Sequence, residues 1–432
     1  MTTIEQLYTL YRQHPVCTTD TRECTPGSIF FALRGETFNG NDFALQALAN
    51  GCAYAVVDDA SLPDDPRLLQ VDNVLDTLQR LAAHHRQVWG GSVVQITGTN
   101  GKTTTKELTA AVLSTRYQVL YTQGNLNNHI GVPKTLLRLT DEHQLAVVET
   151  GANHPGEIAL LSGIVQADCG LITNVGTAHL QGFGSFEGVL RTKTELYDSL
   201  RTRRGGFVFL DAGNEHLASR AVGLPAVTYG VPGQGCQVEG ELLPQTSPFV
   251  SLRFRLRGGE WQEVHTHLVG GYNLLNVLAA VAVGVHFGVR AEQAAQAVAA
   301  YQPTNNRSQW MRTERNELIV DAYNANPTSM KAALDNMALM RHAHKMVILG
   351  EMRELGEASA EEHRRVAAQA QQLGCEEVWL VGEAFRPYAD GARWFADEAA
   401  VAAALAELKP QGKLILVKGS NGTRLFKLPP LL

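Results

Sequence analysis

The chain has 432 residues, 44% of them hydrophobic, and a formal net charge of −6. That length accommodates about three domains, each able to bury a core. In the mild acidity nothing points to nucleic acid or an anionic membrane surface as a partner, and six scattered cysteines without a Cys-x-x-Cys pair favour reduced thiols over disulfides or a zinc site.

The start, MTTIEQLYTLYRQHP, lacks the basic segment and apolar core of a signal peptide. A small α/β unit is expected over 1–88. Residues 28–33 form a strand candidate, 42–50 carry helical spacing that Gly51 stops, and 53–57 form a second strand. The polar cluster Thr19, Asp20, Thr21 and Arg22 precedes the first strand and reads, on spacing alone, as a solvated turn.

The segment expected to carry the chemistry lies in a second unit, 89–303. A largely apolar run, Val93, Val94, Gln95 and Ile96, leads into Gly98-Thr99-Asn100-Gly101-Lys102-Thr103-Thr104, and Leu108, Val112 and Leu113 then keep helical spacing. Strand, glycine loop and helix in that order make a phosphate-binding loop. Glycines let the backbone approach a polyphosphate, and amide hydrogens at the helix start point at the anion. Lys102 brings charge to the outer phosphates, and the Thr103 hydroxyl can ligate magnesium. The loop is a shortened variant, since only Thr99 and Asn100 separate Gly98 from Gly101.

Beyond it, Asn125, Asn127 and Asn128 among glycines mark a hydrogen-bonding loop. Residues 144–149 form a buried strand ending in Glu149, and 169–173 form another that runs toward His179. The tips of parallel strands share one edge with the phosphate loop, which makes Glu149 and His179 candidate metal-site residues. On spacing alone, a lone histidine is more often packed or exposed than a ligand. A helix is expected over 186–200, with Lys193 on a solvated face. Residues 207–270 alternate like an antiparallel addition to the sheet edge. An alanine-rich helical stretch, 271–300, is entered through Asn273 and Asn276, and its apolar run at 274–289 is too short to span a bilayer.

From 304 to 432 the α/β alternation repeats. A strand at 318–321 ends in Asp321-Ala322-Tyr323-Asn324-Ala325-Asn326-Pro327, and Pro327 suits the first turn of the next helix, which needs no amide donor there. Strands at 346–349, 378–381 and 414–417 alternate with helices rich in Ala, Glu and Arg. This predicts a second, smaller doubly wound domain.

Taken together, GTNGKTT, GNLNNHIGVP, ETGANHPGEI, NVGTAHLQGFGS and DAYNANPTSM resemble the ATP-dependent Mur ligases of peptidoglycan synthesis, and within them the dipeptide-adding branch. The resemblance covers the whole chain in the family's three-domain order. The branch that adds the third amino acid carries a different sequence after that aspartate. The resemblance implies an α/β fold of three domains. A small N-terminal unit at 1–88 would bind the UDP-substrate. A central, mostly parallel sheet at 89–303 would carry the phosphate loop. A C-terminal doubly wound domain at 304–432 would close the site and bind the incoming dipeptide. It further implies a cytoplasmic, monomeric enzyme that uses ATP and two magnesium ions. Such a ligase phosphorylates the carboxylate of UDP-N-acetylmuramoyl-tripeptide and joins D-alanyl-D-alanine to it.

By the same resemblance, Gly98, Thr99, Asn100, Gly101, Lys102, Thr103 and Thr104 hold the phosphates of ATP, with Thr103 and Glu149 on the first magnesium. His179 and a carbamylated Lys193 serve the second, so that Lys102, His179 and Lys193 form the catalytic set. Asn273 and Asn276 match adenine-side asparagines, and Arg307 and Asp321 match the third-domain arginine and the ribose-binding aspartate. Asn125, Tyr323, Asn324 and Asn326 belong to the substrate side. Asp20, Thr21 and Arg22 match the Asp-Ser-Arg element that binds the UDP portion. Three positions depart from the family pattern: Asn306 stands where glycine precedes the arginine, Asn41 replaces a histidine, and Arg191 fills a small position. Two other readings are another amide-forming ligase, against which DAYNANP argues, and a nucleotide switch or hydrolase, which would turn over ATP without an amine acceptor.

Overall fold

The computed structural model describes residues 1–178, 180–244 and 248–432. Three α/β units follow one another along the chain, each on its own sheet. Among the described residues, no helix is long and apolar enough to cross a membrane.

The first sheet has four short parallel strands in sequence order, Cys17–Thr18, Ile29–Phe31, Tyr54–Val57 and Leu68–Gln70. The expected helix begins as a 3-10 turn, Gly40–Phe43, before Ala44–Ala49. This unit shares a core with the next. The Val74–Trp89 helix, capped by Asn73 and ended by Gly90, packs Val74, Leu78 and Leu81 in one cluster with Val132, Leu136, Ile158 and Leu161. Tyr11 donates to the Leu137 carbonyl at 2.6 Å, and the buried Arg86 guanidinium bonds Asp168 at 2.8 Å.

The central sheet runs Gln262–Val269, Phe249–Leu256, Val238–Leu242, Ala226–Gly230, Phe207–Asp211, Cys169–Ile172, Ser92–Thr97, Leu145–Glu149, Val119–Tyr121. Phe249–Leu256 pairs antiparallel with both of its neighbours, and every other pairing is parallel. The expectation that all of 207–270 is an antiparallel addition is therefore corrected: Phe207–Asp211, Ala226–Gly230 and Val238–Leu242 continue the parallel sheet. Val208 and Leu210 enter the core on one face and Phe209 on the other, so this strand is covered on both sides, as parallel strands are. The readable alternation at Val250, Leu252 and Phe254 belongs to the outer hairpin. The 271–300 stretch is two helices, Asn273–His286 and Ala291–Ala300, broken at 287–290.

The last sheet runs Gln309–Arg312, Glu317–Asp321, Leu414–Lys418, Lys345–Gly350, Glu377–Val381, Arg393–Phe395, with only its first strand antiparallel. Leu318, Val320, Ile348 and Val417 enter one core, and Ile319, Val347, Leu349 and Leu416 the other. Helices thus cover both faces, the doubly wound arrangement expected. Gln309–Arg312 and Arg393–Phe395 are additions to the expected strands; each is short and partly exposed, with little alternation to read.

Candidate active site

Ser92–Thr97 lies between Leu145–Glu149 and Cys169–Ile172, so three strands end side by side. From Ser92–Thr97 the chain goes to the edge strand Val119–Tyr121, returns to Leu145–Glu149 and then crosses to Cys169–Ile172 on the other side, which makes a switch point of the kind where ligands of open sheets sit.

The loop that follows needs its glycines. Gly98 has φ 140° and Gly101 φ 79°. A Cβ on Gly98 would lie 2.1 Å from Thr173 Oγ1, and one on Gly101 would lie 2.6 Å from Asn276 Oδ1. The loop is thereby pinned between a strand tip and the Asn273–His286 helix. Asn174 fixes it further, accepting from the Asn100 amide at 3.0 Å and donating to the Asn100 carbonyl at 3.0 Å. The Lys102–Leu113 helix starts here, with its first amides free for an anion.

Lys102 folds back on the loop and donates to the carbonyls of Gly98 and Thr99 at 2.8 and 2.9 Å. Burial lowers its pKa to about 8, with Glu149 opposing the shift and Arg307 adding to it. Glu149 is fully buried, and its carboxylate accepts from Thr103 Oγ1 at 2.9 Å and Asn127 Nδ2 at 2.7 Å. A buried carboxylate and a hydroxyl beside a phosphate loop are the hard oxygen donors magnesium takes, so this donor set fits that ion. Among the described residues no three His, Cys, Asp or Glu side chains form a metal cluster; magnesium held by one carboxylate, a hydroxyl, water and phosphate needs none.

A cleft of about 570 Å³ opens over the loop. Thr99, Asn100, Gly101, Lys102, Thr104, Asn125, Glu149, Asn273 and Asn276 line it from the central unit, and Arg307, Asp321, Tyr323, Asn324 and Asn326 from the C-terminal one. Asn326 Nδ2 donates to Asn100 Oδ1 at 2.8 Å, joining the two units. Asn276 accepts from Thr105 at 3.1 Å and donates to Asn273 at 2.9 Å, so the helix that carries both asparagines and the Lys102–Leu113 helix hold them in place together. The Arg307 guanidinium lies 3.8 Å from the Tyr323 ring centre. Asn306 before it has φ 55°, a left-handed conformation that asparagine tolerates in place of glycine. Asp321 accepts from the Ser308 amide at 3.2 Å and from Lys418 Nζ at 2.5 Å.

Lys193 is not on a solvated face. The Phe186–Thr202 helix buries it and leaves Arg191 exposed. Its Nζ lies 3.3 Å from the Ala152 carbonyl and 5.4 Å from the Phe183 ring centre. Burial lowers its pKa to about 7, reinforced by the Lys102 charge. Ala152 is part of the cleft wall, so Lys193 stands directly behind that wall.

Asp20, Thr21 and Arg22 lie elsewhere, on a 3-10 turn of the first unit that Asp20 caps while pairing with Arg22 at 2.5 Å. Asn41 is buried and bonds Asp58 at 2.8 Å. His179 lies outside the described residues. The cleft lining extends beyond the candidates and includes Asn127, whose signal is the asparagine-rich loop, and Lys418, whose signal is its place at a strand tip.

Three family models match in chain order: "Mur ligase family, catalytic domain" at 16–86, "Mur ligase middle domain" at 96–284 and "Mur ligase, glutamate ligase domain" at 306–421. The UDP-N-acetylmuramoyl-tripeptide–D-alanyl-D-alanine ligase of Bacillus subtilis (strain 168) is 35% identical, covering 95% of this chain and 91% of that protein. The chain belongs to the Mur ligase family. The ligase of the same name from Escherichia coli (strain K12) is 36% identical over 94% of this chain and 90% of its own. Among solved Mur ligases, MurF from Acinetobacter baumannii matches with a TM-score of 0.84 at 34% identity, covering 95% of this chain and 92% of that one. MurF from Thermotoga maritima, in complex with ADP, matches with a TM-score of 0.85 at 24% identity over 96% of each chain, which speaks for a shared fold.

Proposed function

We propose that this Mur ligase joins D-alanyl-D-alanine to the terminal carboxylate of UDP-N-acetylmuramoyl-tripeptide, using ATP and passing through an acyl phosphate. The product is the pentapeptide precursor of the cell wall. The observation that carries this reading is the cleft, in which a glycine loop, Lys102 and a buried Glu149 face Asp321 and Asn326 of another unit. It is supported by 35% identity to ligases of that name over nearly the whole chain.

A carboxylate must attack a polyphosphate, and both are anionic. Lys102 and the amides at the helix start concentrate positive charge where the outer phosphates sit. Thr103 and Glu149 would hold magnesium, which when bound neutralises phosphate charge and stabilises the transferring phosphoryl group. The substrate carboxylate oxygen bonds to the γ-phosphorus as the bridging oxygen departs with ADP. The dipeptide amine then attacks the acyl carbon, phosphate leaves with the bonding electrons, and the amine gives up a proton. Holding the reactants together in one cleft contributes on the order of 7–11 kcal/mol.

Asn273 and Asn276 stand on the adenine side, Asp321 at the ribose, and Asn125, Tyr323, Asn324 and Asn326 toward the peptide. Asp20, Thr21 and Arg22 take the UDP portion. The units 1–88, 89–303 and 304–432 then serve the UDP-substrate, ATP and the dipeptide, in a cytoplasmic reaction. Lys193 is carbamylated in this reading: with a pKa near 7 its amine is partly neutral, and only a neutral amine adds to carbon dioxide, losing a proton. The anionic carbamate suits a second magnesium together with His179.

An amine panel tests the assignment. With ATP, magnesium and UDP-N-acetylmuramoyl-tripeptide, mass spectrometry should find pentapeptide from D-alanyl-D-alanine and no product from single amino acids. Ligation of a single amino acid in preference to the dipeptide would reassign the acceptor.

A further inference from the structure

Lys418 ends the Leu414–Lys418 strand and Asp321 ends Glu317–Asp321. The strands are parallel neighbours, and their register sets these two residues opposite each other. Lys418 Nζ lies 2.5 Å from Asp321 Oδ2 and 3.3 Å from the Asn324 carbonyl. The Lys418 side chain is 1% exposed and that of Asp321 16%, yet both reach the cleft. An ammonium buried this far is retained only with a partner.

The pair does two things for a nucleotide. A bare carboxylate at 321 would repel a polyphosphate in the same cleft, and the Lys418 charge cancels it. A carboxylate also offers roughly four acceptor sites. Ser308 N and Lys418 take two of them, which leaves the remainder, held in one orientation, for vicinal hydroxyls. We infer that Lys418 is a positioning residue for nucleotide recognition: by fixing and neutralising Asp321 it sets the preference for a nucleotide that carries ribose hydroxyls. This rests on the reading of Asp321 as the ribose acceptor.

The test compares kcat and KM for ATP and for 2′,3′-dideoxy-ATP in wild type, Lys418→Met and Lys418→Arg. Wild type should favour ATP by about ten- to a hundredfold in kcat/KM, the worth of charge-assisted hydrogen bonds. Lys418→Met should lose most of that preference, mainly through KM for ATP, and Lys418→Arg should restore much of it. Should Lys418→Met fail to fold, Lys418→Gln takes its place in the same comparison. A methionine or glutamine variant that keeps the wild-type preference overturns the role of Lys418. A wild type with no preference overturns instead the ribose role of Asp321.

Discussion

Lys193 shares a buried region with Lys102, and its folded-state pKa lies near 7. In the unfolded chain the same amine titrates near its ordinary value of about 10.4. Between those values the unfolded state binds a proton that the folded state has released, so stability rises with pH across that window. Lys193→Met removes this dependence. In buffer free of carbon dioxide, its melting temperature should vary less between about pH 7 and 10 than that of wild type; equal slopes would mean that Lys193 is not held neutral by burial. In activity, Lys193→Ala should be nearly inert and partly rescued by a short carboxylic acid such as formate. Wild-type activity in that variant would remove Lys193 from the site. Lys102→Ala should lower ligation by about 10²–10³-fold or more, and normal ligation would contradict the loop assignment. These residues differ in how openly the sequence shows them. Lys102 and Thr103 are marked by adjacent glycines and a strand before them. Lys193 is flanked by Arg191, Thr192, Thr194 and Glu195, a polar string that does not say which side of the helix turns inward. Lys418 is 97 residues from Asp321 in sequence, so their pairing needs the sheet register.

At the level of elements, the Pro327–Leu339 helix joins fold to site. Asn326 caps it, accepting from the Ser329 amide at 2.9 Å, while its own amide group reaches Asn100 in the phosphate loop at 2.8 Å. Asn326→Ala should cost about 1 kcal/mol of stability, read from the denaturation midpoint, and should also raise KM for ATP. A stability loss with unchanged KM for ATP would show that the contact of Asn326 with Asn100 does not support the phosphate loop. The strands nearest the site were readable because continuous apolar runs such as Leu145–Glu149 end in a chemically distinct tip. The direction of Phe207–Asp211 was not, since side-chain alternation reports which faces are covered and not which neighbour a strand pairs with. The short edges Gln309–Arg312 and Arg393–Phe395 owe their strand form to the sheet they extend more than to their own residues.

Across the whole molecule, the first two units share one core, whereas polar pairs bridge the cleft to the C-terminal unit. Asn100 bonds Asn326, Thr177 lies 3.4 Å from Thr328, and the Gln181 amide reaches the Glu354 carbonyl at 3.2 Å. Apolar contact with the C-terminal core comes from Phe249 and Val269, beside Trp310 near the linker. Firm packing beside the linker and polar contacts elsewhere between the units suit a hinge. ATP with UDP-N-acetylmuramoyl-tripeptide should therefore lower the radius of gyration in solution scattering, and superimposable curves would argue against closure. Phosphate release from ATP tests the ligase assignment itself most directly, measured with purified protein, magnesium and UDP-N-acetylmuramoyl-tripeptide, with and without D-alanyl-D-alanine. Sustained release that requires both substrates, accompanied by pentapeptide, is the expected result; release indifferent to the dipeptide would contradict it.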